Sequence, residues 1–213
     1  MSKTIDIQDS KTIYPSGLDS SHSSYSSISS SYPITNAYDS ADSTNYAYIT
    51  CITGSRASTY VSLTFDVSDI PEGVNIDSVE CEVKLRVSST NYISTAVVQL
   101  YKGSTAKGSS VSARTTTATK YTISSPGTWT RDELDDIEIR YTGTRGTSNT
   151  SRAAYLYFYG ATLTINYSQH GTAYTVTATS TVSGVTPSPA TQDIIEGGEA
   201  VVIPNAEGNR TTP

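Results

Sequence analysis

The chain has 213 residues, a net charge of −6 and a pI near 4.8, and tyrosine is its dominant aromatic residue. An acidic chain without clustered Lys and Arg is not expected to bind nucleic acid, because phosphate contacts need such clusters. No run approaches the roughly 20 apolar residues of a membrane-spanning helix, so no membrane partner is expected either.

The N-terminal segment, residues 1–35, combines a short alternating run at residues 4–7 with a serine-rich stretch. Ten of the sixteen residues from Ser16 to Ser31 are serine. Two interpretations stay open: a flexible segment, because such composition rarely orders alone, or an arm along a partner surface, with Tyr25, Ile28 and Tyr32 as interface candidates. The opening residues lack the apolar core of a signal peptide, so none is expected.

The loop that follows is rich in Asp and Asn. Asp39, Asp42 and Asn45 offer oxygen ligands for Ca²⁺, although their spacing is not that of an EF-hand. Turn capping by Asx side chains explains the same residues. No metal site is therefore assigned, and these three residues stay a calcium candidate.

Alternating apolar residues predict a series of strands after this loop. The best patterned is Asp77–Val87, in which charged residues alternate with Val79, Cys81, Val83, Leu85 and Val87. A slip of one residue would bury the charges, so the register is fixed. The charged face makes this strand a poor candidate for a hydrophobic docking surface. The other predicted strands are Tyr46–Ile52, Thr59–Val67, Tyr92–Tyr101, Tyr121–Ile123, Asp135–Thr142 and Tyr155–Tyr167.

Two places interrupt the strand pattern. Thr130 and Glu133 match a capping box, which predicts a short helical turn with Trp129 against the core. In Tyr155–Tyr167 the apolar residues change from even to odd positions, which predicts a bulge at Gly160 where the buried face switches. Residues 103–119 read as a long polar connection.

These elements predict an all-β fold, an antiparallel β-sandwich of jelly-roll type over residues 36–168. Residues 169–213 read as a linker at His170-Gly171 and the start of an Ig-like β-domain, because two or three strands are too few to close one.

No motif for catalysis is found, so no catalytic residue and no cofactor is assigned and the protein is not expected to be an enzyme. His22 and His170 lie in the serine-rich stretch and the linker. Cys51 and Cys81 fall at apolar strand positions, which favours buried thiols over a disulfide. The arginines at 140, 145 and 152 read as scattered solvated charge.

The stretch Leu63–Val83, LTFDVSDIPEGVNIDSVECEV, resembles the strand–corner–strand unit of DNRLRE-type jelly-roll domains. Phage structural proteins are similar, with a Gly-x-Trp-Thr-x-x-x-Leu element that corresponds here to Gly127–Leu134. The tail resembles the opening of bacterial Ig-like repeats. The resemblance implies a non-enzymatic virion protein, a capsid decoration, head-fibre or tail-associated protein, made in the host cytoplasm.

Its expected partners are other virion proteins and further copies of itself. The alternative is a carbohydrate-binding or adhesion module of a bacterial surface protein, with a host-surface glycan as partner. Tyr155, Tyr157 and Tyr159 are the interface candidates in the sandwich, because exposed tyrosines on one face stack sugars or form protein interfaces.

Overall fold

The computed structural model describes residues 2–25, 28–51, 58–126, 129–146, 152–177, 187–188, 191–195 and 203–204. Residues Asp9–Tyr167 form one compact unit, and Met1–Gln8 together with Ser168–Pro213 form another. Gly127, the first residue of the Gly127–Leu134 element, lies outside the described residues. No helix in the described ranges is long and apolar enough to cross a membrane.

Strands dominate both units. The strands are β1 (Ser2–Ile13), β2 (Pro15–Ser24), β3 (Ala47–Cys51), β4 (Ser58–Phe65), β5 (Asn75–Val87), β6 (Ile93–Lys102), β7 (Thr105–Ser112), β8 (Thr119–Pro126), β9 (Ile137–Arg145), β10 (Ala154–Thr177), β11 (Pro187–Ser188), β12 (Thr191–Ile195) and β13 (Ile203–Pro204). A 3₁₀ turn spans Ile34–Ala37, and a short helix, α1, spans Arg131–Leu134.

Two antiparallel sheets build the sandwich. The first sheet has the order β1–β10–β5–β8, with β3 also paired to β10, and the second has the order β2–β4–β9–β6–β7. Numbered from β3 to β10 as strands one to eight, the two sheets read 1-8-3-6 and 2-7-4-5. This is the strand order of a jelly roll, a double-sheet fold of two Greek keys. The prediction of an all-β, jelly-roll-like sandwich is confirmed.

The core lies between the sheets because each strand turns its apolar positions inward. In β5 the predicted residues Val79, Cys81, Val83, Leu85 and Val87 are all fully buried. Burying each aliphatic side chain contributes roughly 1.5–3 kcal/mol before the ordering entropy is subtracted. The alternation therefore fixes both the register of β5 and the face that it turns outward.

Two segments differ from the sequence expectation. Pro15–Ser24, within the serine-rich stretch, is strand β2 and pairs antiparallel with β4 from Pro15↔Phe65 to Ser24↔Tyr60. Thr105–Ser112, within the expected polar connection, is strand β7 and pairs with β6. Both are edge strands with few buried side chains, so their backbone hydrogen bonds hold them and no apolar alternation marks them in the sequence.

The buried face of β10 switches at Gly160, as the sequence predicts. Leu156 and Phe158 are buried before it, and Ala161 and Leu163 after it. The carbonyl oxygen of Asp39 accepts a hydrogen bond from Ala161 N at 3.0 Å. A Cβ on Gly160 would lie 2.5 Å from the carbonyl oxygen of Ser40 and closer still to that of Asp39, so glycine is required here.

The predicted helical turn is present. The Thr130 hydroxyl accepts a hydrogen bond from Glu133 N, and the Glu133 carboxylate accepts one from Thr130 N at 3.1 Å, which forms the capping box. Trp129 is buried beside this turn, with 5% of its surface exposed. The turn therefore closes one part of the core between β8 and β9.

In the smaller unit, the end of β10 pairs with β12 from Ala173↔Ile195 to Thr177↔Thr191, and β11 pairs with β13. His170 and Gly171, expected as a linker, lie within β10. β10 continues through both residues to Thr177, and its last five residues pair with β12.

Cys51 and Cys81 are buried free thiols, as predicted. Burial raises the pKa of Cys51 to about 11 and also raises that of Cys81. The interpretation of Arg145 as solvated charge is wrong, because only 1% of its surface is exposed. Arg145 donates to the carbonyl oxygen of Arg152, which gives the buried guanidinium a backbone acceptor.

Candidate functional site

The outer face of the first sheet carries a continuous group of tyrosines, here called the tyrosine face. Its members are in ring contact with one another: Tyr32, Tyr46, Tyr48, Tyr155, Tyr157 and Tyr159. The antiparallel register places Tyr48 of β3 opposite Tyr157 of β10. Because Ala47, Ile49, Leu156 and Phe158 point into the core, the tyrosines between them point outward.

Two ring pairs of the tyrosine face pack edge to face, and four others are tilted by 48–57°. Tyr48 and Tyr155 meet at 5.0 Å between ring centroids with an interplanar angle of 70°, and Tyr46 and Tyr157 meet at 5.5 Å and 81°. Tyr32 instead stacks on Tyr46 at 4.8 Å and 10°, and 38% of its surface is exposed. The face therefore presents ring edges and hydroxyl groups, with Tyr32 outermost.

Two cations of β5 cover ring faces within this group. The Arg86 guanidinium lies 3.8 Å from the Tyr157 ring centroid, and its Nε donates to the Tyr159 hydroxyl at 3.0 Å. Lys84 Nζ lies 5.0 Å from the Tyr159 ring centroid and donates to the Ser43 carbonyl at 2.8 Å. Lys84 and Arg86, on the charged face of β5, thus lie against the tyrosine face.

Two phenol groups of the tyrosine face have raised pKa values. A hydrogen bond with Tyr32 raises the pKa of Tyr46 above its usual value of 10.0, and partial burial raises that of Tyr157. At neutral pH Tyr46 and Tyr157 therefore carry no charge.

The outer side of the second sheet differs in chemistry. A cleft of about 210 Å³, here called the acidic cleft, is lined by residues of β2, β4, β9 and two loops: Asp19, His22, Thr64, Gly103, Asp135, Asp136 and Glu138. His22 Nδ1 lies 2.6 Å from Glu138 Oε1 and 3.1 Å from Asp19 Oδ2. The edge strand β2 thus brings a histidine and a carboxylate next to a buried carboxylate of β9.

Arg140 holds the other oxygen of Glu138. Its Nη2 lies 3.3 Å from Glu138 Oε2 and donates to the Gly103 carbonyl, and its Nε donates to Ser62 Oγ at 2.8 Å. The guanidinium also stacks on Tyr101 at 3.8 Å from the ring centroid. Glu138 is therefore fixed with Oε1 facing His22.

Hydrogen bonds shift the pKa values of the two titratable cleft residues of β2, Asp19 and His22. The Ser21 hydroxyl and neighbouring backbone N–H groups lower the pKa of Asp19 to about 2. The hydrogen bond to Glu138 raises the pKa of His22 above its usual value of 6.5. Asp19 therefore stays ionised at neutral pH beside the His22 imidazole.

The residues predicted as interface candidates fall into two sets. Tyr32, Tyr155, Tyr157 and Tyr159 all belong to the tyrosine face, but Tyr159 is buried, with 8% of its surface exposed, so the expectation that it is an exposed tyrosine is wrong. Tyr25 and Ile28 instead pack against the core as partly buried residues, and Ile28 forms an isolated bridge with Ile49.

The calcium candidates have protein partners. Asp42 pairs with Lys120 at 3.0 Å, Asp39 Oδ1 accepts from Ser40 N, and Asn45 N donates to Ser43 Oγ. These contacts are those of a turn-rich loop tied to the neighbouring strand β8.

The sequence-based interface candidates do not include Tyr46, Tyr48 and Arg86 of the tyrosine face. The period-2 pattern that buries Ala47 and Cys51 also turns Tyr46 and Tyr48 outward, so that pattern was an available signal for them. The acidic cleft has no comparable signal, because His22 and Glu138 are 116 residues apart.

Comparisons with known proteins give no further guide. No protein-family model matches the chain, and no curated protein sequence matches it significantly. The resemblance of Leu63–Val83 to DNRLRE-type domains stays a prediction.

Proposed function

We propose that this protein is a non-enzymatic structural protein of a phage virion, a capsid decoration, head-fibre or tail-associated protein, that docks on another virion protein through its tyrosine face. The observation that carries the proposal is the packing of this face, in which ring edges, hydroxyl groups and an arginine are presented together. Tyr and Arg, together with Trp, are enriched at the energetic centres of protein interfaces. The jelly-roll strand order and the resemblance of Leu63–Val83 add support.

The ring faces favour a protein partner over a glycan. A sugar stacks its C–H face on a free, flat aromatic ring, but here Arg86 covers Tyr157 and Lys84 lies over Tyr159. Tyr32 covers a face of Tyr46. What remains available is half-buried ring edges and hydroxyls, which suit hydrogen bonds and packing against a protein surface.

Charge favours an acidic partner surface. Within the described residues no carboxylate forms an ion pair with Arg86 or Lys84, although the chain as a whole carries a net charge of −6. An uncompensated cation on an acidic protein steers association with carboxylates of a partner. We therefore expect Asp or Glu residues on the virion protein that faces Arg86.

A glycan-binding adhesion module stays the second candidate, because Tyr32 exposes 38% of its surface and keeps an outer ring face. A single open ring is a small platform for stacking. This candidate predicts binding on a glycan array that is lost when Tyr32 or Tyr157 is changed to Ala.

The test is the copy number of this chain in purified phage particles, measured by quantitative mass spectrometry. The proposal predicts a copy number that matches the symmetry of the head or the tail. Arg86→Glu should reduce incorporation at least about tenfold, because it replaces an attraction with a repulsion at the interface.

Lys11→Glu is the matched control, since Lys11 lies away from the tyrosine face in a long 3.7 Å contact with Asp69. Absence of the chain from particles, or equal incorporation of both charge-reversed variants, contradicts the proposal. Glycan binding that requires the tyrosine face would replace it with the second candidate.

A further inference from the structure

Three potential metal ligands converge at the acidic cleft from distant parts of the chain. One ligand atom each from Asp19, His22 and Glu138 can be chosen so that all three lie within 4.8 Å of one another. Ligand atoms about 2.0–2.2 Å from a tetrahedral zinc ion are themselves about 3.4 Å apart. His22 Nδ1 lies 2.6 Å from Glu138 Oε1 and 3.1 Å from Asp19 Oδ2, slightly closer than that spacing. The upper limit of 4.8 Å for all three ligand atoms lies above it.

The ligand set has the chemistry of a transition-metal site. An imidazole nitrogen with two carboxylate oxygens suits zinc and its neighbours, whereas Ca²⁺ and Mg²⁺ prefer oxygen ligands alone. The cleft of about 210 Å³ leaves room for several water molecules, each of which takes about 30 Å³ in the liquid. Water from the cleft can therefore complete the coordination shell.

The charges around the cleft also favour a divalent cation. Asp19 and Glu138 contribute carboxylates from β2 and β9, and Asp135 and Asp136 contribute two more from the turn between α1 and β9. Two guanidinium groups offset part of this charge, since Arg140 contacts Glu138 and Arg131 pairs with Asp135 at 2.7 Å. With neutral His22, two carboxylate charges remain uncompensated.

The ligands are held in place before any ion binds. Glu138 is buried, and Arg140 restrains its Oε2, which leaves Oε1 aimed at His22. The Ser21 hydroxyl and the backbone N–H of Ser21 and His22 donate to Asp19 Oδ1, which leaves Oδ2 toward the imidazole. Such outer contacts orient metal ligands in proteins.

We propose that Asp19, His22 and Glu138 form a binding site for a divalent transition-metal ion, of which zinc fits best, with His22 Nδ1 and one oxygen of each carboxylate as ligands. The ion replaces the proton that His22 otherwise shares with the two carboxylates. It ties the edge strand β2 to β9, two strands away in the second sheet. This site is independent of the tyrosine face and of the docking function proposed above.

The first test is titration of the EDTA-treated, dialysed full chain with Zn²⁺ by calorimetry, and with Co²⁺ by visible absorption. The site predicts one bound ion per chain, a Co²⁺ spectrum of imidazole–carboxylate coordination and a higher melting temperature with Zn²⁺. Because the ion displaces a proton from His22, the Zn²⁺ affinity should fall about tenfold for each pH unit below the pKa of His22.

The chain has two histidines, which supplies a matched pair of variants. His22→Gln and Asp19→Asn should each weaken Zn²⁺ binding at least about tenfold. His170→Gln should leave it unchanged. The near-ultraviolet circular dichroism of each metal-free variant shows whether its tyrosines keep their native packing, so a folding defect is told apart from a lost ligand.

Several results would overturn the site. One is that Zn²⁺ and Co²⁺ neither bind the wild-type chain nor raise its melting temperature. A second is that a folded His22→Gln variant binds zinc as tightly as the wild type. A third is that His170→Gln abolishes the binding, which would place the ion elsewhere.

Discussion

The outer faces of the two sheets carry different kinds of side chain. On the first sheet the outward positions carry tyrosines, and Arg86 lies among them without a described carboxylate partner. On the second sheet the outward positions of β9 carry Glu138 and Arg140, and β2 adds Asp19 and His22. Both faces place an arginine 3.8 Å from a tyrosine ring centroid, but only Arg140 is neutralised by a carboxylate.

The two arginines differ in whether their partners lie within the fold. Arg140 is satisfied within the fold by Glu138, Ser62 and Gly103, so it builds the wall of the acidic cleft. Arg86 has rings and a hydroxyl as partners, so its charge stays available to another molecule. Parallel substitutions of the two arginines should therefore have unequal effects on stability and on assembly.

The largest effect is expected from Arg140→Met. This change removes a cation from buried Glu138, and breaking a buried pair from one side costs about 3 kcal/mol. The free energy of unfolding, measured by urea denaturation, should fall by that amount. A loss below about 1 kcal/mol would mean that Arg140 does not stabilise the second sheet.

A slightly smaller effect, about 2–3 kcal/mol, is expected from Gly160→Ala. A Cβ at this position would collide with the carbonyl oxygens of Asp39 and Ser40, in the loop beside the tyrosine face. Gly146→Ala is the control, because its nearest neighbour atom lies 3.6 Å from the added Cβ. Thermal and urea unfolding measure both variants, and equal stability of the two would show that the loop does not cross β10 as described.

Arg86→Met should cost about 1 kcal/mol of unfolding free energy, since it removes a cation–π contact and a hydrogen bond at a half-buried position. Arg86→Lys should recover little of this loss, because an ammonium group cannot stack while it donates to Tyr159. If Arg86→Met destabilises the chain as much as Arg140→Met, the contrast between the two faces is wrong.

The smallest effect concerns pH. The pKa of His22 is raised in the folded chain, so its bridge to Glu138 and Asp19 stabilises the fold below pH 6.5, the unperturbed value. That contribution is lost as the pH rises through the raised pKa. In EDTA, the wild-type chain should therefore lose unfolding free energy above pH 6.5, and His22→Gln should not. Identical pH profiles would show that the bridge contributes nothing.

The sequence predicts the parts of the fold that apolar alternation defines. The core strand β5, the capping box at Thr130 and the face switch at Gly160 all follow from local patterns of residues that must be buried or capped. The edge strands β2 and β7 cannot be predicted in this way. Their residues are mostly polar and are held by backbone pairing, so their sequence resembles that of a loop. The candidate sites likewise contain residues that local patterns predict and residues that they do not.

Tyr155, Tyr157 and Tyr159 alternate within one strand and were predictable as a group. Arg86 joins them across a strand pair that is distant in sequence, and His22 meets Glu138 through a strand that was not foreseen. Long-range pairing of this kind depends on the strand order, which single-strand patterns do not contain.

Hydroxyl-radical footprinting of the tyrosines shows whether the tyrosine face contacts another virion protein, as we propose. The free chain and the same chain in purified particles are compared by mass spectrometry. Tyr14, with 48% of its surface exposed and outside the tyrosine face, is the internal reference. The docking proposal predicts that Tyr32, Tyr46 and Tyr48 become protected in particles while Tyr14 stays reactive. Unchanged reactivity of these three tyrosines in particles that contain the chain would contradict it.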